Sequence, residues 1–180
     1  VGPDAEIRRP KGVTELDYEL ELACVIGKPG RNIAVADAAA HIFGYTIFND
    51  FSARDLQAEN MRRGEGGRGS AKEFDTGYAL GPCIVTTDEI PNPNALQIKT
   101  VVSGETLQDW NTNDMIFDVA TLIEFLSGST TLLPGTVILT GTPHGVGMAR
   151  KPPRWLKPGD TVTISIDGIG ELTNPVVAEK

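Results

Sequence analysis

Three acidic side chains, Glu19, Glu21 and Asp50, stand where extended apolar segments would aim them at a common point. The stretch Tyr18-Glu-Leu-Glu-Leu-Ala-Cys-Val-Ile26 alternates at its start as a strand does. Tyr18, Leu20, Leu22 and Cys24 then share one face, and Glu19 and Glu21 share the other. On a strand the two glutamates lie roughly 7 Å apart along the chain, and they repel unless water or a cation screens them. Asp50 closes a second apolar run, Tyr45-Thr-Ile-Phe-Asn-Asp50. Three hard oxygen donors with no Cys or His beside them favour magnesium, manganese or calcium over zinc. On spacing alone, a solvated strand face remains the commoner explanation of a Glu-x-Glu pair.

The elements that must position these residues are legible in outline. Val35 to Phe43 is Ala-rich and precedes Gly44, which predicts a short helix with a glycine stop. Ser52-Ala-Arg-Asp55 has the form of a capping box with a shorter acid, starting a second helix through about Asn60. Asp50 would then lie between a buried strand and a helix N-terminus. Arg62 to Ser70 (RRGEGGRGS) is Gly-rich and polar and predicts a mobile loop, serving as a plain connection or as a flap. Cys83 to Thr87, Leu96 to Val102, Thr136–Thr140 and Thr161–Ile166 read as strands. Val119, Leu122, Ile123 and Leu126 recur at helical spacing before Gly128 and predict a third helix. The sum is an α+β domain, mainly β, with about three short helices.

Composition sets the bounds. At 180 residues the chain suits one domain that buries roughly 70% of its unfolded surface. The formal charge of −8 argues against nucleic acid or an anionic membrane as partner. No apolar run approaches the roughly 20 residues of a membrane-spanning helix. Cys24 and Cys83 both sit in apolar stretches and read as small buried hydrophobes in a reducing, cytoplasmic setting. Neither the Gly-rich loop nor Gly27-Lys-Pro-Gly30 supplies the Gly-Lys-Ser/Thr of a phosphate cradle.

An ordered set of phrases then carries a resemblance. Leu16-Asp-Tyr-Glu-Leu-Glu-Leu-Ala23, Asn49-Asp-Phe-Ser-Ala-Arg-Asp55, Ala71-Lys-Glu-Phe-Asp-Thr76, Leu80-Gly-Pro82 and Leu133-Pro-Gly135 occur in that order. Gly141-Thr-Pro-His-Gly-Val-Gly147, Leu156-Lys-Pro-Gly-Asp160 and Gly168-Ile-Gly-Glu-Leu-Thr-Asn-Pro175 complete it. Together they resemble the fumarylacetoacetate hydrolase superfamily, whose members cleave, decarboxylate or isomerise 2-oxo and β-diketo acids. The resemblance implies layered mixed β-sheets with a rolled, barrel-like core, and a homodimer. It implies a divalent ion, magnesium first with manganese or calcium as substitutes, held by Glu19, Glu21 and Asp50.

It further implies that Lys72 faces the substrate near the metal, where a buried ammonium could stabilise an enolate or oxyanion. Gln57 matches a polar residue on the substrate side of its helix, and Thr142 matches a contact to the substrate carboxylate. An exposed helix position explains Gln57 as well. Arg54 and Asp55 are read as structural, through a helix cap and an ion pair. His41 is read as a packing or surface residue, and His144 as an imidazole next to the substrate turn. The family's N-terminal segment, with the lid His and Glu that activate the hydrolytic water, has no counterpart here. Residues 1–180 are therefore expected to form a single catalytic domain without that lid.

The activity expected from the resemblance is metal-dependent hydrolysis of a C–C bond in a small 2-oxo or β-diketo acid, of fumarylacetoacetate or acylpyruvate type. An isomerase or decarboxylase of 2-hydroxy-diene-dioates or oxaloacetate in aromatic catabolism is the alternative. A catalytically silent, metal-stabilised module is another.

Overall fold

The computed structural model describes residues 1–179. In chain order its strands are β1 (Ile7–Arg9), β2 (Leu16–Asp17), β3 (Leu20–Ile26), β4 (Ile42–Asp50), β5 (Ser52–Ala53) and β6 (Tyr78–Thr86). They continue with β7 (Gln97–Val102), β8 (Glu105–Asn111), β9 (Val137–Leu139), β10 (Thr161–Ile166) and β11 (Gly170–Ala178). The α-helices are α1 (Arg54–Arg62) and α2 (Val119–Ser129). One sheet runs β6-β4-β3-β9 and another β1-β11-β10-β7-β8, while β2 and β5 form a short pair. Among the described residues only β1 with β11 is parallel; the other strand pairings are antiparallel. The expected layered, mainly β architecture is present, and its rolled core is built from open sheets, none of which closes into a barrel among the described residues.

Period-2 patterning explains the five-stranded sheet. Val162, Ile164 and Ile166 of β10, Ile98 and Val102 of β7, and Leu172 and Val176 of β11 point into one core together with the buried Thr100 and Asn174, and the alternate positions are half-buried or exposed. The central strand β3 differs: all seven of its residues are buried, because β4 and β9 flank it and both of its faces are covered. Glu21 is thereby carried into the interior by a strand whose other residues are apolar. Helix α2 buries Val119 and Ile123 in the core, and its N-terminus is capped by Asp118, which accepts from the Thr121 N–H at 2.8 Å.

Several local expectations are corrected. The Ala-rich segment is a 3-10 helix over Val35–His41, and Gly44 does not stop it but lies inside β4. A Cβ at Gly44 would overlap the Val85 carbonyl, so the glycine permits β4 and β6 to approach, and close packing rather than helix termination explains it. The capping box at Ser52 does not form. Ser52 Oγ donates to the Asp50 carbonyl at 3.0 Å, α1 begins after Ala53 without a side-chain cap, and Asp55 accepts from the Thr14 N–H at 2.7 Å instead. Cys83 is exposed, because its part of β6 has an open face; Cys24 is buried as expected. The strand expected from Cys83 begins earlier, at Tyr78, and β1, β8 and β11 add strands that periodicity alone did not announce.

The Gly44→Ala variant is expected to lose about 1–3 kcal/mol of stability, the usual cost of overpacking a filled site. Urea unfolding followed by far-UV circular dichroism checks this, and an unchanged midpoint would show that β6 yields to the added methyl group.

Candidate active site

The antiparallel register builds the site. Leu20 pairs with Asn49 and Glu21 with Phe48, and the Asp50 N–H donates to the Glu19 carbonyl at 3.0 Å, extending the ladder by one pair. Directly opposed residues share a face of an antiparallel sheet, and so do residues two apart on one strand. Glu19, Glu21 and Asp50 therefore converge. One carboxylate oxygen from each lies within 4.8 Å of the others. Glu21 and Asp50 are buried and Glu19 half-buried.

Hydrogen bonds account for most, not all, of these oxygens. Glu19 Oε1 accepts from Arg54 Nη2 at 2.6 Å, and its Oε2 from Lys72 Nζ at 2.6 Å. The same ammonium donates to Asp50 Oδ2 at 2.5 Å. Glu21 Oε2 accepts from the Gly141 N–H at 2.9 Å. Asp50 Oδ1 is buried without a hydrogen-bond partner. Arg54 is shared, since its Nε also donates to Asp17 Oδ2 at 3.0 Å, and Asp17 is wholly buried. Four carboxylates (Asp17, Glu19, Glu21, Asp50) thus bond to two cations (Arg54, Lys72), and Arg68 adds a third positive charge felt by Asp50 and Glu21, which leaves one negative charge in excess when all are ionised.

The electrostatics follow from that excess. Burial pushes the Glu21 carboxyl up to about 7; the Gly141 N–H opposes this, and the Asp50 and Glu19 charges add to it. Burial likewise raises Asp50, opposed chiefly by Lys72, and raises Asp17, opposed chiefly by Arg54. Three converging oxygens, a buried orphan acceptor and a residual negative charge fit a hard divalent cation. No His or Cys belongs to the cluster, so the donor chemistry disfavours zinc.

The remaining expected residues fall at differing distances from this centre. Lys72 follows a 3-10 turn over Gly69–Ala71 that ends the Gly-rich loop, and is in the cluster directly. Gln57 is one turn along α1; its Oε1 accepts from Arg54 Nη1 at 3.0 Å and its Nε2 donates to the Gly67 carbonyl at 3.0 Å. It ties the Gly-rich loop to Arg54 and makes no hydrogen bond to the carboxylates. Thr142 follows Gly141 in the turn after β9, and its Oγ1 accepts from Gln108 Nε2 at 2.9 Å. His144 is exposed and packs edge-on to Trp110 with ring centroids 4.1 Å apart. His41 is half-buried, its Nδ1 3.0 Å from the Lys28 carbonyl, as a packing residue should be. A cavity of about 420 Å³ lies along the Thr140–His144 turn, with Leu22, Trp110 and Phe117 in its wall. Its lining omits all three carboxylates, since Leu22 faces away from Glu21.

Sequence reasoning missed Asp17 and Gln108 and underrated Arg54, which reaches Glu19 itself. Asp17 stands in the quoted phrase Leu16-Asp-Tyr-Glu, but nothing in spacing marks an aspartate as the buried partner of an arginine 37 residues away.

The chain matches the model for the fumarylacetoacetate (FAA) hydrolase C-terminal family over residues 1–177. It belongs to that family. Among curated family relatives, it is 49% identical over 177 residues to "oxaloacetate tautomerase fahd2, mitochondrial" of Xenopus laevis, covering 98% of this chain and 54% of that protein. It is 46% identical over 163 residues to "oxaloacetate tautomerase YisK" of Bacillus subtilis, covering 91% of this chain and 52% of that protein. The chain therefore spans about half the length of these relatives. Among solved family structures, a fumarylacetoacetate hydrolase of Exiguobacterium antarcticum superposes with TM-score 0.94 at 43% identity, over 99% of this chain and 63% of the other. A 2-hydroxyhepta-2,4-diene-1,7-dioate isomerase of Mycobacterium marinum gives 0.87 at 45%, over 99% and 65%. The Xenopus protein is named as mitochondrial, in contrast with the cytoplasmic setting expected above for this chain. Among the described residues no helix is long and apolar enough to cross a membrane.

The raised Glu21 carboxyl has a signed consequence for stability. Its folded value, about 7, exceeds the ordinary 4.5, so unfolding releases a proton between those values and stability falls as pH rises through the window. The fall amounts to about 3 kcal/mol at most, from 1.36 kcal/mol per pH unit. In chelator, the Glu21→Gln variant should match the wild type near the lower limit and exceed it above neutrality. Added manganese should reverse that order, since an ion that binds only the folded state raises its stability. Urea midpoints across the range, with and without manganese, check both limbs.

Proposed function

We propose that this chain carries the reaction centre of an enzyme that interconverts the keto and enol forms of a small 2-oxo dicarboxylate, with oxaloacetate as the type substrate. The observation that carries the reading is the Lys72 ammonium lodged between Glu19 and Asp50 beside the orphan oxygen of Asp50. The naming of two relatives as oxaloacetate tautomerases and of a solved neighbour as a diene-dioate isomerase supports isomerisation over C–C hydrolysis. The main expectation from the sequence, hydrolysis, gives way to its alternative on that support. The reading retains the family's divalent ion, magnesium first, and a homodimer.

Tautomerisation breaks a C–H bond next to the keto carbon and makes an O–H bond on its oxygen. Negative charge gathers on that oxygen, and no attacking water is needed. Glu19, Glu21 and Asp50 would hold the divalent cation, which would draw electron density from the keto group and favour the enolate. Lys72 has three N–H donors, of which two are engaged by Glu19 and Asp50. The third is available to the enolate oxygen, in a site where fixed donors act at low dielectric. Arg54 holds Glu19 from the other side, at 2.6 Å, so the carboxylate cannot swing to follow Lys72. The Gly141 N–H fixes Glu21 in the same way, and Thr142, next in the chain, would anchor a substrate carboxylate.

The protein with magnesium or manganese should accelerate enol–keto exchange of oxaloacetate, followed by the ultraviolet absorbance of the enol, and chelation should abolish the effect. Lys72→Ala should lower kcat about 10²–10³-fold, the usual effect of removing one donor to a developing oxyanion. Faster cleavage of an acylpyruvate than exchange of oxaloacetate would restore the hydrolase reading. Metal-dependent thermal stabilisation without any turnover would leave a silent module.

A further inference from the structure

The geometry points to Gln108 as a positioning residue that makes the Thr142 hydroxyl a hydrogen-bond donor towards substrate, and so sets the affinity for carboxylate ligands. The inference rests on the reading that Thr142 anchors a substrate carboxylate. Gln108 lies on β8 opposite Thr100 and is buried, at 1% exposure. Both ends of its amide are determined by partners of fixed polarity. The Leu20 N–H can only donate, and it lies 3.3 Å from Gln108 Oε1, which also accepts from Thr100 Oγ1 at 2.9 Å. The Pro143 carbonyl can only accept, and it lies 3.1 Å from Gln108 Nε2. The amide therefore has one orientation.

Its second N–H then falls on Thr142 Oγ1 at 2.9 Å, so the threonine oxygen is an acceptor in that bond. A hydroxyl that accepts from one side keeps its own proton for another partner. Among the described residues Thr142 donates to none, so the proton is left for a ligand oxygen. Had residue 108 presented an acceptor instead, Thr142 would have donated inwards and shown a carboxylate only lone pairs. A single buried amide thus sets the polarity of the anchoring group from one residue further out. It does so from the strand that also bonds the first residue of β3, next to Glu19 and Glu21.

The test measures oxalate binding to the manganese-loaded protein by calorimetry, with oxaloacetate exchange assayed separately. Gln108→Met and Thr142→Val should each weaken oxalate about tenfold, the worth of one hydrogen bond to a charged group. If Gln108 acts through Thr142, the double variant should bind no more weakly than Thr142→Val alone. Multiplying losses, or full affinity in Gln108→Met, overturn the inference, as does a wild type that binds no oxalate. Should Gln108→Met not fold, judged by loss of manganese-dependent thermal stabilisation, Gln108→Glu retains the acceptor for Leu20 and Thr100. Its ionised form takes the Thr142 proton, so oxalate affinity must fall about tenfold as that carboxyl ionises; pH-independent, wild-type affinity overturns the inference. Oxalate binding that obeys these rules without any oxaloacetate exchange would sink the tautomerase reading and leave the role of Gln108 standing.

Discussion

Crowding of negative charge governs this molecule. Three carboxylates converge within 4.8 Å on the inner end of a two-strand ladder, and a fourth, Asp17, lies wholly buried behind them. Such a cluster is costly in a folded protein unless cations and donors compensate it. Much of the surrounding structure reads as that compensation. Arg54 bridges Asp17 and Glu19, Lys72 bridges Glu19 and Asp50, and a backbone N–H serves Glu21. Even with the positive charge of Arg68 nearby, the compensation stops short of neutrality, and that shortfall, more than any single ligand, suits the centre to a dication.

The turn that follows β9 shows the same constraint from another side. Glu21 holds the Gly141 N–H, Gln108 holds Thr142 and Pro143, Tyr18 Oη donates to the Gly145 carbonyl at 2.9 Å, and Asp17 accepts from the Gly147 N–H at 2.6 Å and the Met148 N–H at 3.1 Å. A segment with three glycines between residues 141 and 147 would otherwise cost much entropy to order. Buried side chains from β2, β3, β8 and the Tyr18 position pin it at four points. Rigidity of this kind is what a charge-stabilising site requires, because donors that are already in place need no reorganisation when charge develops. Asp17 serves both systems, the turn through its acceptor bonds and the carboxylate cluster through Arg54.

Proton movement within a 2-oxo acid makes smaller demands than hydrolysis. It needs a polarised keto oxygen, a donor for the enolate, an anchor for the carboxylate and a base for the C–H proton; on the proposed reading the cluster, Lys72 and Thr142 would supply the first three. Hydrolysis adds a positioned water and a base for that water.

Residue types and short-range spacing were enough to single out Glu19, Glu21 and Asp50. Strand alternation is a local property, and Glu19 and Glu21, two residues apart at the start of an apolar run, are visible in any window of that length. The ordered phrases were enough for the family, and they pointed to Lys72, which the fold brings against Glu19 and Asp50. Local signals misled where a distant surface supplied the reason: Gly44 resembled a helix stop, yet β6 is what demands it, and Ser52 resembled a cap, yet it bonds back to Asp50. The buried partners lay beyond sequence reasoning altogether. Asp17 meets Arg54 across 37 residues and Gln108 meets Thr142 across 34. Pairings over such separations depend on the register of strands brought together by folding, and no periodicity within the chain encodes them.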